Sequence, residues 1–371
     1  MALLLTLGIS KATADELDRR SELKVTWYGV STLLIENSKT QILVDGYFTR
    51  DRFRVIGGRF VPYEIEPDIE IVLSKLKSEK IGKFGCDGDT STSCKPKTLG
   101  LILVAHAHYD HALDAPIVAA ATGAKLISVE HSSILAKNNG EVALDNSIGH
   151  LVDVYSKAYE TVGGLHWESV QVSHISLPNA QATHVEKEGD FRITTFQWPH
   201  LFRSLSPAKG GAIRPSELTT LPTPIWNFRQ GTPLAFHIDH PAGTMIIFPS
   251  AGKDAVFDFK EAKLSADVVL LGIGGVCLWI GCKSVDDLWN TTVRLTEPDH
   301  SANVRKVYPI HWDDDRVPLD GETQSDCHVK KRFYAKPSRV IRDFRWFASH
   351  ADPTVDVIVP TPCEAFYPFQ D

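Results

Sequence analysis

An apolar run, Leu99-Gly-Leu-Ile-Leu-Val-Ala105, opens directly into His106-Ala107-His108-Tyr109-Asp110-His111. A run of that length and branching reads as a buried strand. Three imidazoles and a carboxylate therefore sit just past the carboxyl end of a strand, where open α/β sheets present their ligands. Neutral imidazole and carboxylate together suit Zn²⁺ or another divalent transition ion. One histidine there would be an ordinary loop residue. Four potential ligands in six positions point to metal.

Three more apolar runs end in side chains of the same kind. Asp45 closes Gln41-Ile-Leu-Val44, His200 follows Thr194-Thr-Phe-Gln-Trp-Pro199, and His311 follows Val307-Tyr-Pro-Ile310. Each alone reads as a core residue capping a strand. With the cluster, they describe one sheet-edge site assembled from distant parts of the chain.

Between these points the rhythm is that of a layered α/β protein. Strands are expected at 23–28 and 31–36, joined at Gly29, and at 41–45. Residues 46–98 look irregular, as a lid or insertion does. Next come the strand at 99–104, a helix over 114–122, a strand at 125–129 and a helix over 131–138, a βαβ alternation. Short strands fill 166–198, ending in Phe191–Trp198, and 201–232 forms a second irregular stretch. Pro233–Asp239 and Thr244–Phe248 read as a hairpin around Pro241-Ala-Gly243. Strands at 267–273 and 305–310 flank a helix near 285–297. With no internal repeat and no low-complexity linker, residues 15–371 read as one domain carrying two long loop insertions.

Composition removes several function classes. Of 371 residues, 43% are hydrophobic and 23% charged, which supports a packed core rather than disorder. Thirty-nine basic against 46 acidic residues leave a net charge of −7 with no basic stripe, so nucleic acid is not an expected partner. Ala2-Leu-Leu-Leu-Thr-Leu-Gly-Ile9 followed by Ala12-Thr13-Ala14 reads as a secretory signal over 1–14, without the usual basic start, and implies a periplasmic or extracellular protein. No segment is long and apolar enough to be a transmembrane span. The cysteines suit export: an even six, with Cys86 and Cys94 expected to pair across a short polar loop and no C-x-x-C motif for zinc. The sequon Asn290-Thr-Thr falls on an expected helix and decides nothing.

Taken together, H-x-H-x-D-H at 106–111, Asp45, His200 and His311 resemble the metallo-β-lactamase-fold hydrolases over residues 23–361. The opening Trp27-Tyr-Gly-Val-Ser-Thr32 and the H-x-H-Y-D-H form look most like the branch of ascorbate-phosphate lactonases and the N-acylphosphatidylethanolamine phospholipase D type. The resemblance implies an α+β fold, a four-layer αββα sandwich with a two-metal site at one sheet edge. His106, His108 and His200 would hold the first ion; Asp110, His111 and His311 would hold the second. Asp45 would orient them by hydrogen bonding.

One departure matters. Where the family usually places an Asp bridging both ions, this chain has Pro249-Ser250-Ala251-Gly252. A neutral hydroxyl cannot replace a bridging carboxylate, so either one tight and one weak ion, or two ions bridged only by hydroxide, are expected. Asp254 would compensate only with a different loop path.

The chemistry implied is attack by a metal-activated water on a small ester, lactone, amide or phosphodiester, with Asp110 orienting the water or taking its proton. The resemblance implies a small-molecule or lipid-like substrate. The competing reading is a metal-binding or redox member of the same fold; its diiron form calls for an acidic residue inside the cluster, where His108 stands. His184, His237 and His240 are the candidates to protonate a leaving group, although inert surface roles suit each better. Tyr109 is expected to pack beside the site. Arg203 and Arg214 would clamp an anionic substrate or simply be solvated. Gly272-Ile-Gly-Gly275 lacks the spacing of a nucleotide loop.

Overall fold

Hydrophobic side chains alternate between two faces along nearly every long strand, and the two faces enter different cores. In β2 (Leu33–Glu36), Leu33 and Ile35 face one way and Leu34 the other; in β3 (Thr40–Val44), Ile42 and Val44 oppose Leu43. Both strands are buried throughout, so both faces of their sheet are covered. The computed structural model describes residues 22–50, 55–56, 59–60, 64–86, 95–132, 143–200, 210–252, 257–274, 283–293, 306–313 and 337–370.

The first sheet adds β1 (Lys24–Trp27), β4 (Thr98–Leu103), β5 (Lys125–Ser132), β6 (Val172–Leu177) and a late strand, β14 (Ala365–Phe366). Its order is β6-β5-β4-β3-β2-β1-β14, parallel from β6 to β3 and antiparallel beyond. The second holds β7 (Thr183–Glu188), β8 (Phe191–Gln197), β9 (Leu234–His240), β10 (Gly243–Phe248), β11 (Val268–Gly272), β12 (Lys306–Ile310) and β13 (Asp356–Val357). These run in chain order across the sheet, the first four antiparallel and the rest parallel. Val25, Trp27 and Leu103 from one sheet meet Phe236, Ile247 and Leu270 from the other in a central core.

Helices close the outer faces. α1 (Ile69–Ser78), α3 (Ala115–Thr122) and α4 (Ser147–Ala158) cover the first sheet, while α5 (Lys283–Thr292) and α6 (Pro337–Ala351) cover the second. The result is the αββα sandwich. α2 (Tyr109–Ala112) is a single turn at the rim.

Several elements depart from the sequence reading. The stretch 46–98 contains α1, capped by Asp68, whose carboxylate accepts from the Ile71 amide at 3.0 Å, and buried through Val72 and Leu76 one turn apart. α4, with Ile148, Leu151, Val154 and Tyr155 buried, was not anticipated, nor was α6. The helix expected at 131–138 is wrong at its start: His131 and Ser132 continue β5, pairing with Ser176 and Leu177 of β6 past a bulge. Positions 133–138 of that helix, the signal at 1–14, and Cys94 lie outside the described residues. The 114–122 helix, the 233–248 hairpin and the strands at 267–273 and 305–310 form as expected, with Gly123 closing α3 in the left-handed conformation at φ +80°. No described helix is long and apolar enough to cross a membrane.

Candidate metal centre

The ends of β3, β4, β8, β10 and β12 meet at one edge of the sandwich. Asp45 leaves β3 in the left-handed conformation at φ +59° and is fully buried. Its Oδ1 accepts the Ala105 amide at 2.7 Å, tying β3 to the end of β4. Its Oδ2 accepts the Ser31 hydroxyl at 2.5 Å and faces His111 Nδ1 at 2.8 Å. A carboxylate against Nδ1 selects the tautomer with its proton there, which leaves the Nε2 lone pair directed into the site. Burial pushes the Asp45 carboxyl up to about 7, against the opposing pull of the Ala105 amide and Ser31.

The six expected ligands fall into two groups, and within each the ligand atoms lie within 4.8 Å of one another. His106, His108 and His200 form the first. His106 Nε2 and His108 Nδ1 are 2.9 Å apart, close to the ~3.3 Å that two nitrogens on one tetrahedral zinc would show. Asp110, His111 and His311 form the second, with Asp110 Oδ2 at 3.8 Å from His111 Nε2 and 3.6 Å from His311 Nε2. The groups share an edge, since the His106 and His111 rings are 3.9 Å apart between centroids. Burial, then the neighbouring imidazoles, hold His106 well below its ordinary range; burial, then His311, does the same for His111. Both rings are therefore neutral and available as ligands.

Backbone devices fix each group. The Ala107 amide donates to the Gln230 carbonyl at 2.8 Å, pinning the loop between His106 and His108. His311 takes φ +55° and donates its amide to the Val30 carbonyl at 2.7 Å. The Val30 amide in turn donates to Asp313 Oδ1 at 2.8 Å, and Asp313 Oδ2 pairs with Arg50 at 2.8 Å. Arg50 also donates to the Tyr28 carbonyl at 3.0 Å. Gly29 admits this clasp: a Cβ there would lie 1.7 Å from the guanidinium. Gly274 plays a similar part, because a Cβ would come within 2.7 Å of His311 Nδ1.

Ser250 is buried with its hydroxyl 3.5 Å from His106 Nδ1. Its neighbour, His106, is the member of the first group that abuts His111 of the second. Asp254 lies outside the described residues, as does Arg203.

The proposed proton donors are placed elsewhere. His184 sits on β7 against Glu186 at 3.1 Å, His237 on β9 donates to the Ser265 carbonyl at 2.8 Å, and His240 lies over Phe191. All three belong to regular strands, and His237 and His240 are buried rather than on the surface. Tyr109 packs edge-on to Tyr47, as expected. Arg214 is exposed and pairs with Glu217 at 3.1 Å, the solvated alternative. Gly272 provides close packing, since a Cβ would lie 2.4 Å from the Pro249 carbonyl oxygen. Sequence reasoning missed Ser31 and the Arg50–Asp313 pair; the only available signal was Asp313 two residues past His311.

Comparison with known proteins agrees with this architecture. The beta-lactamase superfamily domain matches residues 24–292. No curated protein matches. Among solved structures, Igni18, a metallo hydrolase from the archaeon Ignicoccus hospitalis, is 16% identical over 93% of this chain and 97% of its own, with a TM-score of 0.44. An isothiocyanate hydrolase from Delia radicum gut bacteria is 11% identical over 92% and 98%, at 0.43. Zinc-bound PqqB from Methylobacterium extorquens is 11% identical over 91% and 86%, at 0.39. The domain match runs from the first residue of β1 to the last of α5 and takes in five of the six clustered residues. The chain belongs to the metallo-β-lactamase-fold hydrolase superfamily.

Proposed function

We propose that this chain is a zinc-dependent hydrolase that cleaves a small ester, lactone, amide or phosphodiester. The observation that carries the reading is the pair of three-residue groups sharing an edge, with His111 braced by Asp45. The donor set fits a divalent ion: His111 Nε2 is buried with no hydrogen-bond partner in the protein, and it faces a carboxylate and a second imidazole. Leaving such an atom unpaired costs about 1–3 kcal/mol, which coordination would offset. His106, His108 and His200 would hold one ion and Asp110, His111 and His311 the other. A bound ion would supply Lewis acidity and lower the pKa of water toward ~7.

The protein's own part is orientation and proton handling. Asp110 is the only carboxylate in either group, and its side chain is partly exposed. It would align the attacking water and accept its proton. Asp45 and Ser31 hold His111 in one tautomer and keep its ring from turning. We further propose that residues 15–371 act as one domain after removal of a leader at 1–14 during export, with Cys86 and Cys94 paired.

Elemental analysis of the purified chain, followed by hydrolysis assays on ester, lactone, phosphodiester and β-lactam panels, tests the reading. At least one transition ion per chain and metal-dependent turnover on one panel are expected. A fully folded protein that neither contains nor takes up metal rejects it.

A further inference from the structure

A hollow lies immediately behind the loop that carries His106 and His108, on the side away from the second ligand group's Asp45 brace. It is lined by His106 and Ala107 of that loop, Ser128 of β5, Asp145 and Ser147 at the start of α4, and Thr232 before β9. Apolar walls come from Val104, Ile127 and Leu234. The space open to a water-sized group is about 20 Å³, room for about one such group.

Its polar lining is made of acceptors and hydroxyls, with no lysine or arginine among the lining residues. Asp145 is 3% exposed. Its Oδ1 accepts both the Ser147 amide at 3.1 Å and the Ser147 hydroxyl at 2.6 Å. The hydroxyls of Ser128 and Thr232, 2% and 4% exposed, have no partner within the protein. Gly231 keeps the space clear: a Cβ there would lie 3.2 Å from Asp145 Oδ2 and 3.3 Å from the Ala107 methyl. The Asp145 carboxylate and two buried, unpartnered hydroxyls therefore line one small space beside the H-x-H loop.

Buried anions are tolerated when they meet a positive or strongly donating group. An anionic group would be repelled by Asp145, and an apolar one would leave the Ser128 and Thr232 hydroxyls unsatisfied. An ammonium group offers three donors to the carboxylate and the two hydroxyls. We propose that this hollow is a subsite for a small ammonium group of the substrate, held by Asp145 with Ser128 and Thr232. The assignment rests on the hydrolase reading and narrows it: the preferred substrate carries an amino group close to the bond being cleaved, because the hollow touches His106 itself.

The test is binding of methylammonium chloride to the purified full chain by calorimetry, at fixed ionic strength, with metal content measured on the same samples. Sodium chloride and tetramethylammonium chloride serve as comparisons, the latter being too bulky for the space and lacking N–H donors. Saturable binding of methylammonium alone is expected, weakened about tenfold or more by Asp145→Asn, which keeps the acceptor for Ser147. Thr232→Val, which preserves shape, should weaken it less. No saturable binding, equal binding of sodium, or binding unaffected by both variants overturns the subsite. Loss of methylammonium binding with metal retained sinks the subsite alone, whereas methylammonium binding to a chain that takes up no metal keeps the pocket and sinks the hydrolase.

Discussion

At the centre's shared edge, His106 has a serine hydroxyl beside its Nδ1 and His111 has a carboxylate beside its Nδ1. The rings are otherwise alike: both buried, both neutral, 3.9 Å apart. Charge separates them. Asp110 and Asp45 both serve the second group, while the first consists of three imidazoles. Ser250 supplies no third carboxylate. The negative charge of this centre therefore lies on one side, and its affinity for two cations should be uneven.

The largest effect tests whether the all-histidine half is needed at all. His106→Ala combined with His108→Ala should lower turnover of any substrate found in the panels on the order of 1,000-fold and remove one ion per chain. Steady-state kinetics with elemental analysis decides it; a variant that still turns over at a tenth of the wild-type rate shows that the other half suffices.

Asp45→Asn removes the brace from the other half. Outer partners of ligating histidines are worth about 10–100-fold in metal affinity. A loss of that size for one ion, with the second ion unchanged, is expected in competition with a chelator. Equal weakening of both ions would mean that Asp45 acts through the β3–β4 connection to Ala105 rather than through His111.

Ser250→Asp should even out the two halves. A carboxylate beside His106 adds charge where there is none, and tightening of the weaker ion by about tenfold is expected. Unchanged affinity and stoichiometry would show that a carboxylate at position 250 reaches neither ion.

The halves also differ in how readable they were. All six clustered residues follow apolar runs, and strand-end placement is a local signal: burial of β3, β4, β8 and β12 fixes where the next residue emerges. Asp45 was readable for the same reason. Ser31 and the Arg50–Asp313 pair were not, because their partners lie up to 283 residues away, and nothing local distinguishes them from surface polar residues. α1 and α4 escaped for a different cause. α1 buries only Val72 and Leu76 among the charges of Ile69–Ser78, too narrow a stripe to stand out in a stretch read as irregular, and α4 lies in a segment for which no element was expected. A bulge at Glu130 lets β5 run on into His131, which period alone could not show.

The smallest effect concerns the support behind the braced half. Three residues past His111, Asp114 is fully buried; it accepts the Phe48 and Thr49 amides at 2.6 and 2.7 Å and the Thr49 hydroxyl at 2.6 Å. It thereby anchors the segment that delivers Arg50 to Asp313. Burial pushes its carboxyl up to about 6 despite those donors, with Asp68 adding in the same direction. A folded pKa above the unfolded ~3.9 means that the folded state holds the proton more tightly, so this group's contribution falls as pH rises through that window. From pH 7 to pH 5 the wild type should gain about 1 kcal/mol relative to Asp114→Asn. Denaturant unfolding of both proteins across that range measures it. The difference has the opposite sign from the usual paired carboxylate, which loses stability on acidification, so a gap that is flat or narrows at low pH would show that the three donors outweigh burial and that the braced half is anchored by an ordinary ionised aspartate.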